Sequence, residues 1–211
     1  MSNARAFRTK KSKTPTAVNR KVTPTRLPNK DLRPREYLKP NEVDRLMVTA
    51  AKLGRYGHRD GTLILLTYRH GLRVSELVAL RWDQLDLQAG LLHVSRNKNG
   101  IDSVHPLRGP ELRALRRLQR DDDAGSYVFM TERGGPMTED NVRKLVQRAG
   151  KEAKLAFPVH PHMLRHACGY KLANDGHDTR SIQHYLGHKN IQHTVRYTEL
   201  SPHRFRDFWR D

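Results

Sequence analysis

Arg73, His162, Arg165, His188 and Tyr197 constrain this chain more than any other feature of it. Arg73 lies in Gly71-Leu72-Arg73-Val74-Ser75-Glu76-Leu77, and His162 and Arg165 lie in His160-Pro161-His162-Met163-Leu164-Arg165-His166. His188 follows Leu186-Gly187 and precedes Tyr197 by nine residues. A fold in which these residues act together has to bring both halves of the chain to one point. There, two arginines and two histidines would hold anionic charge around one phenol. A phenol, with a reference pKa of about 10, is a weak nucleophile at neutral pH. Given a positioned proton acceptor and a charge-neutralised phosphate, it can attack phosphorus and form a covalent intermediate.

The apolar pattern predicts a mainly α chain with a small antiparallel β-sheet. Val43, Leu46, Met47, Ala50 and Ala51 recur at helical spacing. Pro40 suits a first helical turn, although Lys39 is a poor N-cap. A second helix is predicted over residues 60–70, stopped by Gly71, and a third from near Arg73 through Leu77, Val78 and Leu80. The period then shortens. Residues 84–87, 91–95 and 103–107 read as strands, with turns at Gln88-Ala89-Gly90 and Asn97-Lys98-Asn99-Gly100. Helices resume over 110–120, then after Thr138 on a face of Val142, Leu145, Val146, Ala149 and Ala153. Further helices are predicted over 162–174, 179–186 and 191–197, and Asp121-Asp122-Asp123 reads as a solvated loop.

Charge narrows the partner. The chain of 211 residues carries a net +18. Residues 1–35 hold eleven Lys or Arg against one acid, Asp31, and residues 36–211 hold twenty-nine against twenty-one. Both favour a polyanion. The first segment has no apolar period and is punctuated by Pro15, Pro24, Pro28 and Pro34, so a flexible basic arm is expected over 1–35. One catalytic domain is expected over 36–200. A tail over 201–211 places Phe205, Phe208 and Trp209 on one helix face, a possible docking segment for a second protomer. Cys168 is the sole cysteine, which excludes an internal disulfide, and its place in a predicted helix reads as core. There is no apolar run of about 18 residues, and no apolar stretch follows the basic N-terminus. A cytoplasmic, nucleoid-associated protein is expected.

Taken singly, each motif has a plain reading. Arg73 at a helix N-terminus suits a phosphate, but Arg73 and Glu76 also fit a surface ion pair. His162 and His166, at i and i+4, could chelate zinc, although no carboxylate or cysteine ligand is evident beside them. Lys98 alone is a turn lysine, and Tyr197 alone a core or surface tyrosine. The ordered set carries the specific reading.

That set resembles the active site of the tyrosine recombinases, the phage-integrase family, over about residues 37–200. Arg73, Lys98, His162, Arg165 and Tyr197 match the family's positions, and His188 fills the sixth. The resemblance implies the tyrosine recombinase catalytic-domain fold. It implies that Tyr197 attacks a scissile phosphate and becomes linked to the DNA 3′ phosphate. Arg73, Arg165 and His188 would stabilise the pentacoordinate transition state, and His162 would position or accept protons. Lys98, on a β-hairpin, would protonate the 5′-hydroxyl leaving group. No cofactor, metal or ATP is implied, and no Gly-x-x-x-x-Gly-Lys-Ser/Thr loop occurs. No counterpart of the family's usual N-terminal core-binding domain is expected ahead of residue 36.

Tyr68-Arg69-His70-Gly71-Leu72-Arg73 and His193-Thr194-Val195-Arg196-Tyr197-Thr198 look like segments of the short fimbrial phase-variation invertases. Expected partners are therefore double-stranded DNA with inverted-repeat sites, a homotetramer in the synapse and accessory DNA-bending proteins. The alternatives are an integrase or resolvase of a mobile element, a non-cleaving DNA-binding regulator and a metal-dependent nuclease.

Overall fold

The computed structural model describes residues 35–96, 100–121 and 125–199. Nearly all of the expected arm, Lys98 and the aromatic tail lie outside the described residues. The elements are α1 (Pro40–Lys52), α2 (Gly57–His70), α3 (Val74–Val78), β1 (Leu85–Asp86), β2 (Leu91–Val94) and β3 (Ser103–Pro106). They continue with α4 (Gly109–Asp121), α5 (Glu139–Glu152), α6 (Pro161–Asn174), α7 (Thr179–Leu186) and α8 (Gln192–Thr198).

Pro40 opens α1, and Lys39 supplies no side-chain cap. Glu42 serves instead, its carboxylate accepting the Lys39 amide at 2.8 Å and the Arg35 guanidinium at 2.7 Å. The apolar stripe Val43, Leu46 and Ala50 is buried, and α1 packs on α2. Thr138 caps α5 by accepting the Asn141 amide at 3.2 Å, and Val142, Leu145, Val146 and Ala149 are buried as their spacing requires.

Helix α6 differs from these amphipathic helices. Met163, Leu164, Ala167 and Cys168 are buried, and so are Arg165 and His166. A helix covered on almost every side is a core helix. Its buried polar residues therefore need internal partners, which the site below supplies.

The sheet runs β1-β2-β3, antiparallel, with Leu92 opposite His105 and Val94 opposite Ser103. A polar seam joins it to the helices. His105 stacks on Tyr185 of α7 with centroids 3.9 Å apart, and its Nδ1 lies 3.1 Å from Nδ1 of His70. Glu111 faces the far side of His70, with Oε1 2.9 Å from Nε2. Burial, followed by His70, pushes the His105 pKa down to about 3. The seam thus runs from the Glu111 carboxylate through His70 to a neutral His105 ring.

Several element ends differ from the sequence expectation, and at two of them the structure shows the reason. Leu80 falls beyond α3, because its carbonyl accepts the Val128 amide at 2.9 Å while Arg81 bridges Tyr127. Asp121 belongs to α4, where Arg117 pairs with it across one turn. Among the described residues, no helix is long and apolar enough to cross a membrane.

Candidate active site

Helices α2 and α7 both stop at glycines with left-handed backbones, Gly71 at φ 57° and Gly187 at φ 64°. Side chains resist that conformation, and a Cβ at Gly187 would also lie 2.8 Å from Arg96 Nε. Just beyond these stops, the chain delivers Arg73 and His188. Arg165 spans both stops, donating through Nη1 to the Gly71 carbonyl and through Nη2 to the Leu186 carbonyl at 2.6 Å. Carbonyls at helix C-termini carry partial negative charge, which suits a buried cation. One guanidinium from α6 therefore sets the relative position of the two loops.

Arg73 is the N-cap residue of α3. Glu76 accepts its amide at 2.8 Å and its Nη1 at 2.6 Å. The same carboxylate accepts Arg96 Nη1 at 2.7 Å, and Arg96 Nη2 donates to the Tyr185 carbonyl at 2.6 Å. Glu76 and Arg96 are buried, which excludes the surface-pair reading. Burial alone would raise the Glu76 pKa, but Arg96 and then Arg73 outweigh it and hold the group below its usual range. The Arg73 side chain remains 32% exposed, so its guanidinium can be reached from solvent.

Tyr197 lies on α8 and is 2% exposed. Its hydroxyl is 2.8 Å from Nδ1 of His166. Its ring stands edge-on to Tyr170 at 5.0 Å and nearly parallel to His188 at 6.3 Å. A Cβ at Gly169 would sit 2.7 Å from the ring, so only glycine allows this seat. His188 is fixed on its other flank, with Nδ1 2.8 Å from the Thr194 hydroxyl. Gln183 holds its backbone, accepting the His188 amide at 3.0 Å and donating to its carbonyl at 2.9 Å.

The electrostatics share one direction. Burial, followed by Arg73 and Arg96, lowers the Arg165 pKa to about 10. Burial, followed by Arg165 and Arg73, lowers His188 to about 3. His162 sits at the exposed rim, and surrounding protein, then Arg165 and His160, lower its pKa too. Burial raises the Tyr197 pKa to about 12, against the pull of Arg196 and Arg165. Cations that depress each other around one half-open arginine make a pocket suited to an anion.

The structure thus brings Arg73, His162, Arg165, His188 and Tyr197 together, whereas Lys98 lies outside the described residues. Sequence reasoning missed four contributors: Arg96, His166 as the partner of Tyr197, Gln183 and Thr194. Only His166 had a signal, its place one turn after His162. That spacing also allows zinc chelation, although the expectation was of no metal. Nδ1 of His166 is engaged by a phenol, and the described residues contain no group of three His, Cys, Asp or Glu able to hold a metal ion.

Residues 36–204 match the phage integrase family. The chain belongs to that family. This phage integrase family member is 45% identical over 181 residues to the type 1 fimbriae regulatory protein FimE of Escherichia coli K12, covering 83% of this chain and 91% of FimE. It is 39% identical over 184 residues to FimB of the same strain, covering 85% and 92%. It is also 34% identical to the tyrosine recombinase XerC of Bacillus pumilus, over 83% of this chain and 60% of XerC. Among solved structures, XerA recombinase superposes with a TM-score of 0.70 at 26% identity, covering 82% of this chain and 63% of XerA. XerH recombinase bound to its difH substrate also gives 0.70, at 20% identity, covering 82% and 53%. The chain therefore spans less than two thirds of these two solved recombinases and shares their catalytic-domain fold.

Proposed function

We propose that this family member is a site-specific DNA recombinase that cuts and rejoins DNA through a 3′-phosphotyrosine at Tyr197. It inverts a promoter-bearing segment and so controls fimbrial or other surface genes. The meeting of Arg73, Arg165 and His188 beside Tyr197, with more positive charge than Glu76 neutralises, carries this reading. Similarity to FimE and FimB along 91% and 92% of their lengths supports the regulatory role.

A scissile phosphodiester fits the charge of the pocket. Arg73 and Arg165 bind its non-bridging oxygens and stabilise the added charge of the pentacoordinate transition state. In the tautomer whose Nδ1 accepts from the Thr194 hydroxyl 2.8 Å away, the His188 ring offers its Nε2–H for a third hydrogen bond. His162, at the rim, positions or accepts protons. Lys98 protonates the departing 5′ oxygen. The DNA–tyrosine bond conserves the energy of the phosphodiester, so a partner strand's 5′-hydroxyl reverses the step without ATP. Two inverted-repeat sites, a homotetramer and accessory bending proteins complete the proposed synapse.

Trapping on nicked DNA carrying the inverted repeats that flank the gene tests this reading. A covalent adduct should form in EDTA without ATP and map to Tyr197. Tyr197→Phe should bind the same DNA without an adduct. Recombination by that variant, or strict restoration by metal after EDTA, would overturn the proposal. Excision between direct repeats in place of inversion would assign a resolvase.

A further inference from the structure

Cleavage takes the proton from Tyr197, and by the sequence motif alone the residue that positions or accepts it is His162. Only one ring nitrogen among the described residues lies within hydrogen-bonding distance of the phenolic oxygen: Nδ1 of His166, at 2.8 Å. His162, the histidine of the sequence motif, is exposed and meets the His166 ring edge-on at 4.4 Å. We infer that His166 is the catalytic residue that accepts the phenolic proton of Tyr197 during cleavage and returns it during rejoining. This deepens the proposed function and rests on Tyr197 as the nucleophile.

The surroundings of His166 explain why the proton stays on oxygen until DNA arrives. From α8, His166 faces Tyr197 and Arg196, whose Nη2 lies 3.2 Å from Nε2 and 3.3 Å from Nδ1. From α6 and its start, it faces His162, Arg165 and His160. None of these groups is an acid that would stabilise an imidazolium. Burial, followed by His162, Arg196 and Arg165, pushes its pKa down to about 2, while burial lifts that of Tyr197 to about 12. The free protein therefore holds a neutral phenol against a neutral imidazole.

A phosphodiester seated among Arg73, Arg165 and His188 brings negative charge into the same cluster. That charge raises the proton affinity of every imidazole nearby. As the phenolic oxygen bonds to phosphorus, its own hold on the proton falls. The phenolic O–H and P–O5′ bonds break, and the O–P bond forms. The phenolic proton moves to Nδ1 of His166, and O5′ takes one proton from the general acid proposed above. In rejoining, each proton returns, and no oxidant or other reactant is needed.

Single-turnover cleavage of the nicked substrate, measured across pH, tests this. His166→Asn places an amide where Nδ1 was, keeping a hydrogen bond to the phenol but no base. Cleavage should slow by about 10²–10⁴-fold, the usual scale for loss of a general base, and the acid limb of the pH–rate profile should vanish while DNA binding holds. His166→Ala should regain part of its rate with added imidazole. A 5′-bridging sulfur substrate, which relieves the leaving group, should rescue neither variant.

Near wild-type cleavage by His166→Asn with an unchanged profile would overturn the inference. So would an acid limb abolished by His162→Gln and retained in His166→Asn. An adduct of the wild-type protein mapped to a residue other than Tyr197 would instead remove the nucleophile reading itself, and this inference with it.

Discussion

Glu76 and Arg96 form an ion pair at 2.7 Å in which the two side chains are 2% and 0% exposed. The other oxygen of Glu76 holds Arg73, and the other terminal nitrogen of Arg96 holds the Tyr185 carbonyl. The pair thus straps the residue that opens α3 to the last turn of α7. Glu76→Gln leaves a guanidinium buried without its counter-charge. That should cost about 3–5 kcal/mol in a urea titration, the range for breaking one side of a buried pair. The Glu76 pKa is held below its usual value, so its stabilisation is complete above about pH 4.5 and fades as pH falls through the lower folded value. The variant should lose that acid dependence. A cost below about 1 kcal/mol would mean that Arg96 is solvated in solution.

Acidification should destabilise the protein well before its carboxylates titrate. The pKa values of buried His105, His166 and His188 are pushed down to about 3, 2 and 3. An unfolded histidine binds its proton near pH 6.5, so the stability these rings contribute is complete above that pH and declines below it. Each ring contributes a slope of about 1.4 kcal/mol per pH unit in that window. Denaturant midpoints measured from pH 7.5 to 5 should therefore fall. Inorganic sulfate should blunt the fall by occupying the cation cluster. A flat profile between pH 6.5 and 5 would contradict the neutral-ring assignment.

Lys98 can be tested without seeing it. If it is the general acid, Lys98→Ala should slow cleavage of ordinary DNA by about 10²–10⁴-fold. A 5′-bridging sulfur departs with little need of protonation and should restore the rate. Equal defects on both substrates would assign Lys98 to binding.

Deletion of residues 1–35 removes eleven basic residues and one acid. If roughly half of those eleven meet phosphates, the slope of log K against log salt should flatten by about 5 units. Specific and non-specific affinity should both weaken, while adduct formation persists at low salt. Unchanged affinity and slope would show that the segment is only a solvated tail or serves another partner.

The periodic helices were legible because each must bury a stripe, and the stripe repeats within the segment itself. Residues 179–186 were read at their observed bounds, and α4 was read to within one residue at each end. The motif residues were legible through their chemical types and spacing. Arg96 was not. It precedes a polar turn, and its burial depends on Glu76 and on space left by Gly187, neither of them near in sequence. His166 was seen only as a neighbour of His162, because its partner lies thirty-one residues away. Leu80 was drawn into α3 by its spacing, since nothing local announces a backbone pairing with Val128.

The ring of Tyr197 rests against the main chain of α6 at Gly169, where no side chain intervenes. A seat made of side chains adjusts whenever a rotamer changes. A seat made of helical backbone does not. The phenolic oxygen therefore inherits the positional accuracy of α6, the helix that also supplies His162, Arg165 and His166. Errors in aim and errors in charge placement are not independent here, because one rigid body sets both. Under the proposed mechanism, a DNA strand docked against this helix would meet the phenol, Arg165 and His166 in a single registration.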